Sequence, residues 1–487
     1  MSLKQKALKG VIWSAIQSWG SHVITFSVFL LLARLLDPKD FGLVAMAGVF
    51  IAFMKVFLDQ GFASAIIQRQ EVEAEHLDTA FWTSVGISTV LVVLCFALAG
   101  LVAGFYEQPQ LIPVIRLLSL SFLFKALNSV QVAILSRKMA FKSLAIRSLV
   151  AMLTGSSVGL GMAAFGFGVW SLVGQQLVMG VVEVVVLWTV SDWKPGFQIS
   201  TKHLKELLSF GINVVGLNGL NFLNRYSDNL LIGKFLGEEA LGYYTVAYRL
   251  LTVMTELLIK TVTQVALPTF SKLQHDPERM RGAFYKATQL TSLVAFPGFM
   301  GAAALAPEIV QGLFGSQWTP SIPVMKILAF IGMLQAVSYF NGSVIMAMGK
   351  PSWKLAINSF NTVINVIGFF FAVPWGILAV ATTYVIRGYL FSPIDLWAVN
   401  KLIRLDFTTY LSQYLAPSYG SLIMIIALLG AKEVLHDSMD VQLLLPIYIL
   451  LGAAVYAVAI LVMAPKLFQQ VLSLATTAIP SKLGKKR

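Results

Sequence analysis

The feature that most restricts this chain is a succession of apolar stretches, each about twenty residues or longer, divided by short polar connections. A stretch of that length can cross the hydrocarbon core as an α-helix, an element that satisfies its own backbone hydrogen bonds there. Such spans fall at about 10–36, 41–67, 78–105, 111–136, 142–165, 168–191, 207–236, 240–267, 283–306, 323–348, 353–374, 376–400, 409–431 and 442–464. The expected fold is an all-α polytopic membrane protein with about fourteen transmembrane helices. Composition points the same way: 12% of the residues are charged, against roughly 25% in a soluble domain. Lys4, Lys6 and Lys9 before the run Val11–Leu36 imitate a signal peptide. That run is too long for a signal h-region and no small-residue cleavage site follows, so it reads as the first retained span.

The net charge of +13 would suggest nucleic acid in a soluble protein. Its distribution argues otherwise. Of 36 Lys and Arg, 24 fall in or beside the even-numbered connections and the termini, 4 in or beside the odd-numbered connections, and the remaining 8 deeper within spans. The positive-inside rule then places both termini in the cytoplasm and makes the basic excess a topology signal. Cys95 is the one cysteine, inside an apolar run, which leaves no disulfide framework and no Cys-based metal site. His22, His76, His203, His275 and His436 are dispersed, and no metal or cofactor is expected. Gly349-Lys350-Pro351 lacks the Ser/Thr and the preceding strand of a phosphate loop. No nucleophile motif appears, so an enzyme is not expected.

The chain repeats internally. Ala33–Gly42 matches Gly233–Gly242 at an offset of 200, Ile112–Leu118 matches Ile322–Leu328 at 210, and Lys142–Ile146 echoes Lys354–Ile357. Each half holds six spans, an even number, so both enter the membrane in the same orientation. That is a parallel repeat, as in transporters whose site lies between two lobes. The expected organisation is a first lobe (1–195), a cytoplasmic interfacial linker (196–206), a second lobe (207–404), a helix pair (405–465) and a basic tail (466–487). The tail, partly amphipathic, is expected to lie on anionic lipid. Gly155, Gly159, Gly161, Gly166 and Gly168 suit close helix packing.

Within the spans, ionisable residues mark candidate sites, because a charge at that depth costs several kcal/mol unless it faces a partner or a wet cavity. Asn218, Asn221, Arg225 and Asp228 follow i, i+3, i+7, i+10 and share a face of span seven. Lys55 and Asp59 are i, i+4 neighbours in span two. Lys125 shares a face with Ser121 and Asn128 in span four. Arg249, Glu256 and Lys260 align in span eight, and Tyr384, Arg387 and Asp395 lie in span twelve, while Glu183 occupies span six. Arg116 and Lys326, near helix ends, reach the interface by snorkelling. An Arg225–Asp228 pair that simply locks two helices is the alternative to a binding site. Under the 200-residue offset these two positions correspond to Thr25 and Val28, and a lock needed by the fold would be expected in both lobes. Central cations outnumber central acids, which suits an anionic cargo such as a diphosphate. The residues selected for cargo are Arg225, Lys125, Arg249, Arg387, Lys55 and Asn221; those for a coupling cation or proton are Asp228, Glu256 and Asp59.

The Asp37–Gly42 turn, Asp59-Gln-Gly-Phe62 with Ile67-Gln-Arg69, and Asp228–Gly233 followed by Leu236-Gly237 and Leu241-Gly-Tyr243 resemble the polysaccharide-exporter branch of the multidrug/oligosaccharidyl-lipid/polysaccharide (MOP) flippase superfamily. The match is to Wzx-like lipopolysaccharide and exopolysaccharide flippases, over nearly the whole chain. This resemblance implies a V-shaped, two-lobed transporter with a cavity that opens alternately to each side. The implied cargo is an undecaprenyl-diphosphate-linked oligosaccharide, moved across the bacterial inner membrane with coupling to a proton or sodium gradient. Polysaccharide polymerase machinery is an implied partner. A drug/cation antiporter of the same superfamily is the alternative transporter, disfavoured by the cation surplus. A membrane-embedded glycosyltransferase or polymerase would be expected to carry a sizeable extramembrane loop or an acidic sugar site, and neither is visible.

Overall fold

The computed structural model describes residues 3–58, 66–67, 73–198, 200–256, 258, 266–435, 440–467 and 469; the side chains of 3–8, 11, 201–215 and 217 are outside the description. The described chain is all-helical apart from its connections: α1 (Leu3–Leu35), α2 (Pro38–Leu58), α3 (Ala74–Tyr106), α4 (Leu111–Arg137), α5 (Phe141–Ala164) and α6 (Val169–Val190). The run Thr201–Thr255 breaks at Gly237 into α7 (201–236) and α8 (238–255). Then follow α9 (Pro277–Ala304), α10 (Ser321–Ala347), α11 (Pro351–Ala372), α12 (Ile377–Ile403), α13 (Phe407–Leu435) and α14 (Val441–Met463). Among the described residues eleven helices are long and apolar enough to cross a membrane; α9 with Ala306–Phe314, bent by 77°, passes the same test together as a broken span or a re-entrant loop. The chain is a multi-span helical membrane protein.

Helix boundaries follow local chemistry. Pro38 opens α2 and Pro277 opens α9, positions where the missing N–H is no loss. Asp276 caps α9 by accepting from the Arg279 amide at 3.0 Å. Ahead of α13, Asp406 accepts from the Thr408 and Thr409 amides, each at 3.2 Å, and from both hydroxyls. Gly237 holds φ 84°, a left-handed value open to glycine, and this one residue divides a helical run far too long for one crossing.

The helices pack as two compact units, one of residues 1–245 with 362–380 and the other of 246–361 with 381–487. In the first, Phe81 and Ala80 of α3 pack on Val130 and Ala133 of α4. α5 and α6 approach closely because a Cβ at Gly155 would sit 2.7 Å from the Gln175 carbonyl oxygen and one at Gly159 2.8 Å from the Gln175 Cβ. Gly161 meets nothing within 4 Å, and Gly166 and Gly168 belong to the turn after α5, so two of the five expected packing glycines do that work.

The turn that opens α2 and the turn that opens α8 meet through backbone. A Cβ at Gly42 would overlap the Glu238 carbonyl, and one at Gly242 the Pro38 carbonyl. Pro38 and Glu238, like Gly42 and Gly242, are separated by the 200-residue offset, so the contact is reciprocal. Gln108 donates to Glu238 at 2.6 Å and Lys234 pairs with Glu107 at 2.8 Å beside it. Lys234 holds the Glu107 carboxyl below its ordinary range.

In the second unit Phe270, Phe284, Phe340 and Tyr410 form an aromatic core, with Phe284 stacked on Tyr410 at 5.7 Å. Lys432 in the last turn of α13 bonds Glu308 at 2.8 Å and the Ala304 carbonyl at 2.6 Å, fixing α13 to the bend after α9. Lys432 lies just past the span expected at 409–431, but the helix runs on to Leu435 and takes it in. Glu308 and Lys432 are 16% and 18% exposed, so this is a largely buried pair.

Candidate functional site

Two polar groups stand within the helical segments, one in each unit. The first lies on α7. Asn221, Asn224 and Arg225 are exposed, whereas Asp228 is 6% exposed. A helix turns 100° per residue, so the i+3 step from Arg225 carries Asp228 around the edge of the stripe and into packing. Its Oδ2 accepts from the Tyr244 hydroxyl of α8 at 2.9 Å and its Oδ1 from the Asn229 amide at 2.8 Å. This acid therefore ties α7 to α8 across the Gly237 break, and its bonds go to those groups rather than to Arg225. The Arg225 guanidinium instead sits 5.8 Å from the Tyr226 ring centroid. Tyr226 stacks on Phe222 at 5.4 Å, and Phe222 meets Phe53 of α2 at 5.4 Å.

Phe53 and Phe222 line an apolar cavity of 410 Å³ shared by α2, α3 and α7, with Leu98, Leu101, Phe105 and Leu230. A cation thus stands one helical turn from an apolar, aromatic-walled space. Asn224 accepts from Asn365 of α11 at 2.9 Å, and Asn365 is buried with its own Oδ1 unpartnered. Lys55 on α2 is half-buried and Lys125 on α4 exposed. Asp59 lies outside the described residues.

The second group involves α8, α10, α11 and α12. The Arg387 guanidinium donates to Asn361 Oδ1 at 3.3 Å and lies 5.6 Å from the Tyr384 ring. Gln335 of α10 donates to the Tyr384 hydroxyl at 3.1 Å, and the Tyr248 ring of α8 stands 6.4 Å from that of Tyr384. Arg249 is exposed and Glu256 half-buried. Asp395 pairs with Lys354 at 3.7 Å, and Glu183 with Arg147 at 3.8 Å; both acids join neighbouring helices.

Asn224, Asn361, Asn365, Gln335 and Tyr244 were absent from the sequence selection. A signal for the α11 pair existed: Asn358, Asn361 and Asn365 follow i, i+3, i+7, the spacing that drew attention to α7. Gln335 and Tyr244 carry no such pattern, and their roles depend on packing across helices.

This arrangement, multi-span helices with a polar stripe on α7 and a matching turn before α2 and α8, can be compared with known proteins. The sequence profile of a family described as "Polysaccharide biosynthesis protein" matches residues 31–323. The chain belongs to that polysaccharide biosynthesis family. The family match covers both turns of the reciprocal contact and the whole α7 stripe. The chain is 27% identical to the teichuronic acid biosynthesis protein TuaB of Bacillus subtilis, over 93% of this chain and 95% of that one. It is 29% identical to the lipopolysaccharide biosynthesis protein WzxC of Escherichia coli over 74% of each chain. It is 30% identical to the succinoglycan biosynthesis transport protein ExoT of Rhizobium meliloti over 68% of this chain and 67% of that one. Among solved structures, the lipid II flippase MurJ in an inward closed conformation aligns with a TM-score of 0.74, at 17% identity, over 94% of this chain and 99% of that one. An inward-facing MATE multidrug transporter of the MOP superfamily aligns at 0.63, with 16% identity, over 82% and 99%. The chain shares its fold with these two transporters.

Proposed function

We propose that this protein is a flippase that moves a lipid-linked oligosaccharide across the bacterial inner membrane for lipopolysaccharide or exopolysaccharide biosynthesis. The observation that carries this reading is the family match, together with relatives named for polysaccharide and lipopolysaccharide biosynthesis and a fold neighbour named a lipid II flippase. In this reading the cargo is an oligosaccharide on undecaprenyl diphosphate. Arg225, with Lys55 and Lys125, receives the diphosphate, and Asn221 and the polar stripe of α7 receive the first sugar. Arg249 and Arg387 serve the remainder of the polar head.

The wider organisation proposed is fourteen helices in two parallel six-helix repeats with α13 and α14 added, both termini cytoplasmic, and the cargo exposed alternately to the two sides. Support comes from the reciprocal Gly42–Glu238 and Gly242–Pro38 contact and from the charge asymmetry of the connections. A proton or sodium gradient drives the cycle, with Glu256 and Asp59 as acids that respond to it and Asp228 responding through its bond to Tyr244, which binding of a cation or proton would release. Polysaccharide polymerase machinery and anionic lipids of the cytoplasmic face are the proposed partners.

The test is polymer export in cells that depend on this gene. Arg225→Ala and Lys125→Ala should each abolish export at unchanged protein level in the membrane. Normal export with both variants would refute the diphosphate site.

A further inference from the structure

Arg387 is the eleventh residue of the 27-residue α12, near the middle of a membrane-crossing helix. A guanidinium at such depth costs about 2.5–3.5 kcal/mol even on the lenient insertion scale unless something receives it. Among the described residues three other helical cations are paired with acids: Lys432 with Glu308, Arg147 with Glu183, and Lys354 with Asp395. Arg387 has a neutral amide and a ring face. The acid on its own helix, Asp395, is committed to Lys354 of α11. One terminal nitrogen is used by Asn361, and Nε is buried without a partner.

The neighbours of this guanidinium have a common character. Tyr384 and Tyr248 present two rings 6.4 Å apart, inclined by 38°, and Gln335 fixes the Tyr384 hydroxyl. Ring faces are electron-rich and accept the polarised C–H face of a pyranose, while planar amides pair with its hydroxyls. The terminal nitrogens of a guanidinium match a carboxylate, which they bind through two parallel N–H···O bonds, and Asn361 takes one donor of one of them. A diphosphate carries more charge than one such fork neutralises, and the rest of this cluster is neutral.

We propose that Arg387, with Tyr384, Tyr248 and Gln335, forms a saccharide subsite that recognises a carboxylate-bearing sugar, such as a uronic acid, in the transported oligosaccharide. The inference rests on the flippase reading and adds a selectivity that reading does not require. Arg387 recognises the acidic sugar, a role separate from the diphosphate assignment of Arg225 in the proposed function.

Binding to the full-length protein in lipid nanodiscs tests it. The probes are two synthetic polyprenyl-diphosphate disaccharides that differ only in glucuronate against glucose at the outer position. The wild type should bind the glucuronate lipid about tenfold more tightly, and Arg387→Gln should bring the ratio of the two Kd values close to one. Arg225→Gln should weaken both lipids by one factor and keep the ratio. The proposal is overturned if the wild type shows no preference, or if Arg387→Gln weakens both lipids in equal proportion. Should Arg387→Gln fail to fold, Arg387→Lys makes the same comparison: it keeps the charge, loses the fork, and should lower the ratio, whereas an unchanged ratio would overturn the proposal. If the wild type binds neither lipid, the flippase reading itself fails.

Discussion

Lys432 and Arg387 are both cations on helices of the second unit, and their surroundings differ in kind. Lys432 is held by a carboxylate at 2.8 Å and a carbonyl at 2.6 Å, at the corner where α13 meets the bend after α9. Arg387 has one amide at 3.3 Å, a ring, and a buried nitrogen with no partner. The first cation is complete within the fold. The second, on the proposal above, is completed by an anion from outside. The same division separates the two members of the α7 pair, since Asp228 is satisfied by Tyr244 and the Asn229 amide while Arg225 is exposed beside Tyr226. Charge on these helices therefore has to be sorted by partner before it is assigned to structure or to cargo.

Removing a partner from a complete charge should be the most damaging change. Lys432→Ala leaves the Glu308 carboxylate largely buried and unpaired and is expected to destabilise by about 3–5 kcal/mol. A thermal unfolding series in detergent would show this, with Glu308→Gln combined with Lys432→Met recovering most of the loss. An unaffected Lys432→Ala variant would break the comparison at its firmest point.

Tyr244→Phe comes next. It removes the hydroxyl that Asp228 accepts from, leaving a buried carboxylate oxygen unsatisfied, and should cost about 1–3 kcal/mol by the same measurement. If it proved neutral, Asp228 would not be the brace between α7 and α8.

Outside the membrane, Asp406 gives a smaller effect that depends on pH. The hydroxyls of Thr409 and Thr408 hold its carboxyl down at about 2, below the ordinary aspartate value of about 3.9. A lowered folded value means that the stabilisation is fully present above about pH 4 and is lost as pH falls through about 2. The difference in unfolding temperature between wild type and Asp406→Ala should therefore shrink from pH 5 to pH 2. A constant difference would show that the cap acts without its charge.

The smallest stability change is expected at the incomplete cation of the first unit. Arg225→Gln should alter stability by no more than about 0.5 kcal/mol, as for a side chain outside the packing. Substantial destabilisation would move Arg225 into the structural class with Lys432.

The helices were legible because apolarity sums over some twenty residues and tolerates local exceptions. The reciprocal turn contact was foreshadowed by the Ala33–Gly42 and Gly233–Gly242 match, where glycines recur at the positions that admit a neighbouring backbone. Site detail was less legible. Spacing put Asp228 on the face of Arg225, but a 300° advance and a tyrosine hydroxyl sixteen residues on, beyond the Gly237 break, turned it inward. Lys432 read as a loop cation because its neutralising acid, Glu308, is remote in sequence. Arg387 was selected by depth alone, and what distinguishes it, a ring of its own helix with one ring and two amides from three other helices, arises only from packing.

The most direct test is translocation of a fluorescent polyprenyl-diphosphate-linked oligosaccharide in proteoliposomes, followed by loss of signal to an impermeant quencher. Vesicles with the wild-type protein should move the lipid between leaflets far faster than empty vesicles. Those with Arg225→Gln should fall to the empty-vesicle rate although the protein is as stable as wild type. Wild-type transport preserved in the variant would contradict the claim that the incomplete cation of α7 exists for the cargo.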